Sequence, residues 1–306
     1  MTTPEVTERR LELDGFSLWL REAGIGAGPP VVCLHGGPGM DGGYFFPDAG
    51  VWGPGLRALA RDHHVIAYDQ RGCGRSGAPE DVEQPLALSR HVEDLERVRK
   101  ALDLGPVAVL GHSFGSVLAI LHALEHVESV THLVIVGGAP TREFKEGYRR
   151  SVAEELDAED RERLAEIEAE PPSDEAMHER FAIALPLYFH RDLDERERTS
   201  LLESVSFSAE VNRALAAGIE EYDLGPALGH LRAPSLVIYG ESDRVVRPEH
   251  PLAFRGKLPG GRFVAFAESG HFPFLEEPEP FARVVHYFLR HGHRRAGEEA
   301  PAGGAG

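Results

Sequence analysis

The chain is expected to fold as an α/β protein, with a mostly parallel central sheet, helices on both faces and an inserted helical cap. Three observations predict it. Short apolar runs at residues 31–34, 65–68, 107–110 and 133–136 alternate with segments of helical spacing such as 91–98. Alternation of this kind implies right-handed crossovers and a parallel sheet covered on both sides. Two more strand-like runs, 235–239 and 262–266, resume only after about 85 residues that are dense in Glu and Arg and show helical periodicity. Finally, Gly111-His112-Ser113-Phe114-Gly115 stands where an apolar strand would stop and a helix begin.

Taken in order, the elements are these. Leu11, Leu13, Phe16, Leu18 and Leu20 recur around Asp14-Gly15, which predicts a β-hairpin at an antiparallel edge. The strands at 31–34, 65–68, 107–110 and 133–136 follow. In the Glu- and Arg-rich stretch, Tyr148, Val152 and Leu156 share one helical face, Leu164 and Ile167 another, and Pro171-Pro172-Ser173 breaks the second helix. Residues 1–139 and 227–295 are therefore read as the core and 140–226 as a helical cap or lid. The segment 296–306 is too poor in apolar side chains to pack and is expected to be a disordered tail.

At 306 residues the chain can bury a large core. A net charge of −18 argues against nucleic acid or an anionic membrane as partner, since both would repel this surface. Cys33 and Cys73 give neither a disulfide framework nor metal-ligand spacing. The start, Met1-Thr2-Thr3-Pro4-Glu5, lacks the basic and apolar stretches of a signal peptide, and no apolar run reaches membrane-span length. A cytoplasmic protein without metal or cofactor is expected, with a small molecule or short peptide as its partner.

The chemistry rests on the ends of the strands. A G-x-S-x-G turn between strand and helix strains the backbone and exposes a hydroxyl, so Ser113 is read as a nucleophile rather than a helix N-cap. Asp243, in Gly240-Glu241-Ser242-Asp243, and His271, in Ser269-Gly270-His271, each follow a later strand. The order is serine, acid, histidine. His271 is expected to act as general base and Asp243 to hold its tautomer. The loop after residues 133–136, Gly137-Gly138-Ala139-Pro140, carries no rival carboxylate. The glycine-rich His35-Gly36-Gly37-Pro38-Gly39 can aim backbone N–H groups at an oxyanion. Gly37 is nominated with Phe114, and Gly36 is left as the alternative to Gly37. Gly36 and His112 are further expected to touch substrate. Asp69-Gln70-Arg71-Gly72-Cys73-Gly74-Arg75-Ser76 reads as a structural brace at the rim.

Together these residues resemble the α/β-hydrolase fold. His35-Gly36-Gly37-Pro38-Gly39 with Asp69-Gln70-Arg71-Gly72-Cys73-Gly74-Arg75-Ser76 is similar to the proline iminopeptidase (prolyl aminopeptidase) group of serine peptidases, over residues 10 to 139 and 227 to 292. The resemblance implies a Ser113–His271–Asp243 triad, an oxyanion hole of Gly37 and Phe114, and an acyl-enzyme formed from a peptide or amide with a free N-terminal residue. It also implies carboxylates from the cap and rim that hold the substrate ammonium. Glu203, Glu210, Glu220 and Glu221 are the candidates and Glu210 the first choice, while Arg244 puts a cation beside the acid. An esterase or lactonase is the alternative, and a non-catalytic ligand-binding relative is the second.

Overall fold

The computed structural model describes residues 4–78, 84 and 86–292, and for 217–221 the backbone alone. Eight strands form one sheet: β1 (Val6–Leu13), β2 (Phe16–Ala23), β3 (Pro30–Leu34), β4 (His64–Tyr68), β5 (Val107–His112), β6 (Val130–Val136), β7 (Ser235–Gly240) and β8 (Arg262–Phe266). Their spatial order is β1-β2-β4-β3-β5-β6-β7-β8. The expected hairpin forms the edge, with Leu13 paired to Phe16 across the Asp14-Gly15 turn. β2 joins β4 antiparallel, and every pairing from β4 through β8 is parallel.

The central strands are buried on both faces, which is why they read as unbroken apolar runs. Successive side chains alternate between two cores, as the two-residue period requires. Val32, Leu34, Val107 and Val109 face one core, which the helices Leu88–Ala101 and Phe114–Glu125 complete through Val92, Leu95, Val117 and Ile120. Val31, Cys33, Ala108 and Leu110 face the other, closed by Phe281, Val285 and Phe288 of the helix Pro278–His291. Cys33 and Cys73 are both free and buried.

Between β6 and β7 the chain runs through the helices Phe144–Glu155, Ala158–Ala169, Asp174–Ala184, Glu195–Glu203 and Ala209–Glu221. Their starts are written in the sequence. Asp157, Ser173 and Ser208 each accept an N–H of the first turn, and Asp194 with Glu197 forms a reciprocal capping box. Leu156, Leu164, Ala184 and Leu187 pack on Val245 and Val246, so the insertion sits directly on the loop that carries Asp243. The tail expected at 296–306 lies outside the described residues. Among the described residues no helix is long and apolar enough to cross a membrane.

Two histidines where helices Leu88–Ala101 and Phe114–Glu125 meet the core make stability depend on pH. Burial, with the Arg71 guanidinium nearby, pushes His91 down to about 3, and burial beside His126 pushes His122 down to about 4. Both pKa values are lowered on folding, so between about 6.5 and about 4 the unfolded chain takes up protons that the folded chain refuses. Stability is therefore expected to fall on acidification through that window, by on the order of 1 kcal/mol per pH unit for each histidine. Urea midpoints from pH 7 to 4.5 test this. His91→Leu should flatten the slope, and an unchanged slope would refute the assignment.

Candidate functional site

Ser113 sits between β5 and the helix Phe114–Glu125 with φ +53° and ψ −122°, a conformation rarely adopted by residues other than glycine. The turn is too tight for neighbouring side chains. A Cβ on Gly115 would lie 2.1 Å from the Leu34 carbonyl oxygen, and one on Gly111 would lie 2.4 Å from that of Gly115. Ser113 occupies the N-cap position, yet its side chain makes no capping bond. The hydroxyl is thus not spent on the helix.

His271 enters from the loop after β8. Its Nδ1 is 2.7 Å from Asp243 Oδ2, and both residues are 2% exposed. The second carboxylate oxygen of Asp243 accepts the Val245 and Val246 N–H groups at 2.9 and 2.8 Å. Those bonds fix the carboxylate, and its remaining oxygen, an acceptor only, calls for an N–H on His271 Nδ1. The backbone is pinned as well: His271 N–H donates to the Tyr188 carbonyl at 2.6 Å. Glu276 clamps the same loop by accepting the Gly270 and His190 N–H groups, each at 2.7 Å, and burial pushes its carboxyl up to about 7. Gly137, with φ +56°, lets the imidazole approach β6, since a Cβ there would stand 3.0 Å from His271 Nδ1.

The glycine-rich loop is held by a buried network. Gly36 N–H donates to the Tyr44 hydroxyl at 2.6 Å, Tyr44 donates to His112 Nδ1 at 2.8 Å, and His112 Nε2 donates to the His271 carbonyl at 2.9 Å. Burial and the neighbouring His271 hold the His112 pKa well below the usual histidine range, which suits a neutral ring that both donates and accepts. This network corrects two expectations. Gly36 is not free to offer its N–H to substrate because the Tyr44 hydroxyl accepts it. His112 lines the cavity, but both ring nitrogens are engaged away from any ligand, so it acts as a spacer between the loop and His271.

Tyr44 was not singled out in the sequence, because nothing in Gly43-Tyr44-Phe45 marks it until His112 is brought beside it. Tyr44→Phe would leave the Gly36 N–H and the His112 ring unpaired in the interior, at about 1–3 kcal/mol each. A roughly tenfold loss of kcat/KM, together with a lower melting temperature, is the expected result by the same reckoning. Unchanged kinetics would show that the loop holds itself.

The segment 69–76 braces the rim. Gln70 N–H donates to His35 Nε2 at 2.8 Å, and Asp69 Oδ1 takes Arg21 Nη1 at 2.5 Å and Gly42 N–H at 3.1 Å. Arg71 makes a bidentate pair with Asp94 at 2.6 and 2.7 Å, fully buried.

A cavity of about 470 Å³ opens over Ser113. Gly37, Phe114 and His271 line it from the sheet side. From the insertion, Met177, Arg180, Phe181 and Ala184 line it at the i, i+3, i+4, i+7 spacing of one helical face. Phe114 is the first residue of its helix, so its N–H has no intrahelical acceptor.

Glu210 does not reach the cavity. Ser208 caps the helix Ala209–Glu221, and that phase buries Ala209, Val211 and Leu215, turning Glu210 out to solvent. Glu203 is exposed as well, at a separate surface depression. The side chains of Glu220 and Glu221 lie outside the described residues. Arg244 is not in the lining, since its guanidinium is taken by Glu155 at 3.3 Å and the Phe189 carbonyl at 3.3 Å. The described lining contains one carboxylate, Glu168, which stands 3.7 Å from Arg180.

Comparison with known proteins agrees with this architecture. A sequence model of the alpha/beta hydrolase fold matches residues 29–278. The chain is 29% identical to a proline iminopeptidase of Heyndrickxia coagulans over 277 residues, covering 86% of this chain and 91% of that one. It is 26% identical to a proline iminopeptidase of Saccharolobus solfataricus, over 86% of each. Among solved structures, a proline iminopeptidase from Mycobacterium smegmatis superposes with a TM-score of 0.70 at 23% identity, covering 94% and 98% of the two chains. An esterase from Exiguobacterium antarcticum superposes equally well, with TM-score 0.70 and 23% identity over 94% and 100%.

Proposed function

The chain belongs to the alpha/beta hydrolase fold family, and we propose that it is a serine hydrolase cleaving small amides or esters through an acyl-enzyme on Ser113. The observation that carries this is the Asp243–His271 pair, bonded at 2.7 Å and buried beside a cavity that Ser113 lines with an uncommitted hydroxyl. In this reading Ser113 Oγ attacks the substrate carbonyl carbon while His271 Nε2 takes its proton. Asp243 stabilises the imidazolium. The negative oxygen of the tetrahedral intermediate accepts the N–H groups of Gly37 and Phe114, the second aided by the positive end of its helix. The C–N or C–O bond then breaks as His271 returns the proton to the leaving group. Water repeats the sequence on the acyl-enzyme and releases the acid, and no step calls for a metal or a cofactor. Residues 140–226 serve as the cap that excludes solvent.

The curated relatives support an aminopeptidase that releases an N-terminal residue from a short peptide or amide. Ester or lactone hydrolysis is the second reading, favoured because Glu168 is tied to Arg180 and offers an ammonium no undivided charge. Rates on prolyl and alanyl 4-nitroanilides against 4-nitrophenyl hexanoate separate the two. Faster turnover of the free-amine anilides supports the peptidase, and preference for the simple acyl ester overturns it. With the ester, a stopped-flow burst of about one nitrophenolate per protein chain is expected where deacylation limits the rate. Hydrolysis that persists undiminished in a Ser113→Ala protein would end the serine reading.

A further inference from the structure

The protein is strongly acidic, with 50 Asp and Glu against 32 Lys and Arg. The cavity inverts that balance: among the described residues its lining holds Lys145, Arg149 and Arg180 against the single carboxylate of Glu168. The cations are set by helical phase. Lys145 and Arg149 are four residues apart on the helix Phe144–Glu155 and share a face, while Arg180 stands on the cavity face of Asp174–Ala184 between Met177 and Phe181.

Arg180 is half-buried, whereas Arg149 is exposed. Its Nε is buried although the side chain as a whole is 43% exposed, and its guanidinium carbon lies 5.6 Å from the centre of the Tyr148 ring. Glu168, at 3.7 Å, is beyond hydrogen-bond distance and its side chain is 60% exposed. A guanidinium held among Tyr148, Met177 and Phe181 retains its charge, and its planar fork matches a carboxylate. Its ion-pair partner Glu168 is mostly exposed, so an incoming carboxylate would compete with it for the guanidinium fork.

We propose that this cationic wall selects substrates whose non-reacting part ends in a carboxylate, with Arg180 as the principal contact and Arg149 supporting it. The inference rests on the serine hydrolase reading of Ser113 and names the substrate class of that site. The carboxylate belongs either to the acyl portion or to the leaving group, and the two cases separate experimentally.

Wild-type kcat/KM is compared on 4-nitrophenyl hemiadipate, 4-nitrophenyl hexanoate and 4-nitrophenyl 6-aminohexanoate for the acyl side. For the leaving-group side, 4-(hexanoyloxy)benzoate is compared with phenyl hexanoate. An anionic preference of about tenfold or more in one arm is expected, shrinking between 50 and 500 mM NaCl. Arg180→Gln and Arg149→Gln should bring the anionic-to-neutral ratio toward one. Equal rates in both arms, or preference for the ammonium ester, would overturn the proposal. Binding supplies a readout without turnover: adipate, but not adipamide, should raise the melting temperature of the Ser113→Ala protein. If neither esters nor arylamides are hydrolysed yet adipate binds, the hydrolase reading fails and the anion site stands. If esters are hydrolysed without charge preference and adipate has no effect, the reverse holds.

Discussion

Ser113→Ala is expected to lower kcat by about 10⁶-fold, the loss seen when a triad nucleophile is removed while binding and the oxyanion donors remain. The structure makes this a clean test. The Ser113 side chain caps no helix N–H, and the backbone at φ +53° is held by its own bond from Ser113 N–H to the Val136 carbonyl at 2.8 Å. Alanine keeps that backbone and removes only the hydroxyl. The melting temperature should therefore stay within about a degree, in line with a change of a few tenths of a kcal/mol. A loss of activity accompanied by unfolding would place Ser113 in the architecture rather than the chemistry.

Asp243→Asn should cost about 10⁴-fold in kcat. The amide oxygen can still accept the Val245 and Val246 N–H groups that Oδ1 accepts now. Its NH₂ then faces His271 Nδ1, where a carboxylate oxygen stands at 2.7 Å. Two donors cannot share that bond, so the imidazole moves its proton to Nε2 and loses the ability to take one from Ser113. Steady-state rates on the best ester or arylamide check this. Less than a tenfold change would mean that Asp243 only shapes the turn before Val245.

Much of this architecture could be read from residues alone. The central strands announced themselves because burial on both faces forces continuous apolar runs, and the elbow because glycines flank a serine at a strand end. Boundaries slipped where polar or small residues continue a strand: β5 runs on through Gly111 and His112, and β6 starts at Val130, ahead of Thr131 and His132. Glu210 failed for a different reason. Its direction depends on the phase of one helix, which Ser208 sets and which the packing of Val211 and Leu215 decides. Tyr44 carried no local signal, because its bonds to Gly36 and His112 arise only when distant segments meet beside Ser113.

The most direct test is intact-mass and peptide mass spectrometry after brief exposure to a fluorophosphonate at neutral pH. The account predicts one phosphonyl group per chain, carried by the peptide that contains Ser113, formed quickly in the wild type and absent from Ser113→Ala. A folded protein that stays unlabelled, or that carries the group on another residue, would contradict it.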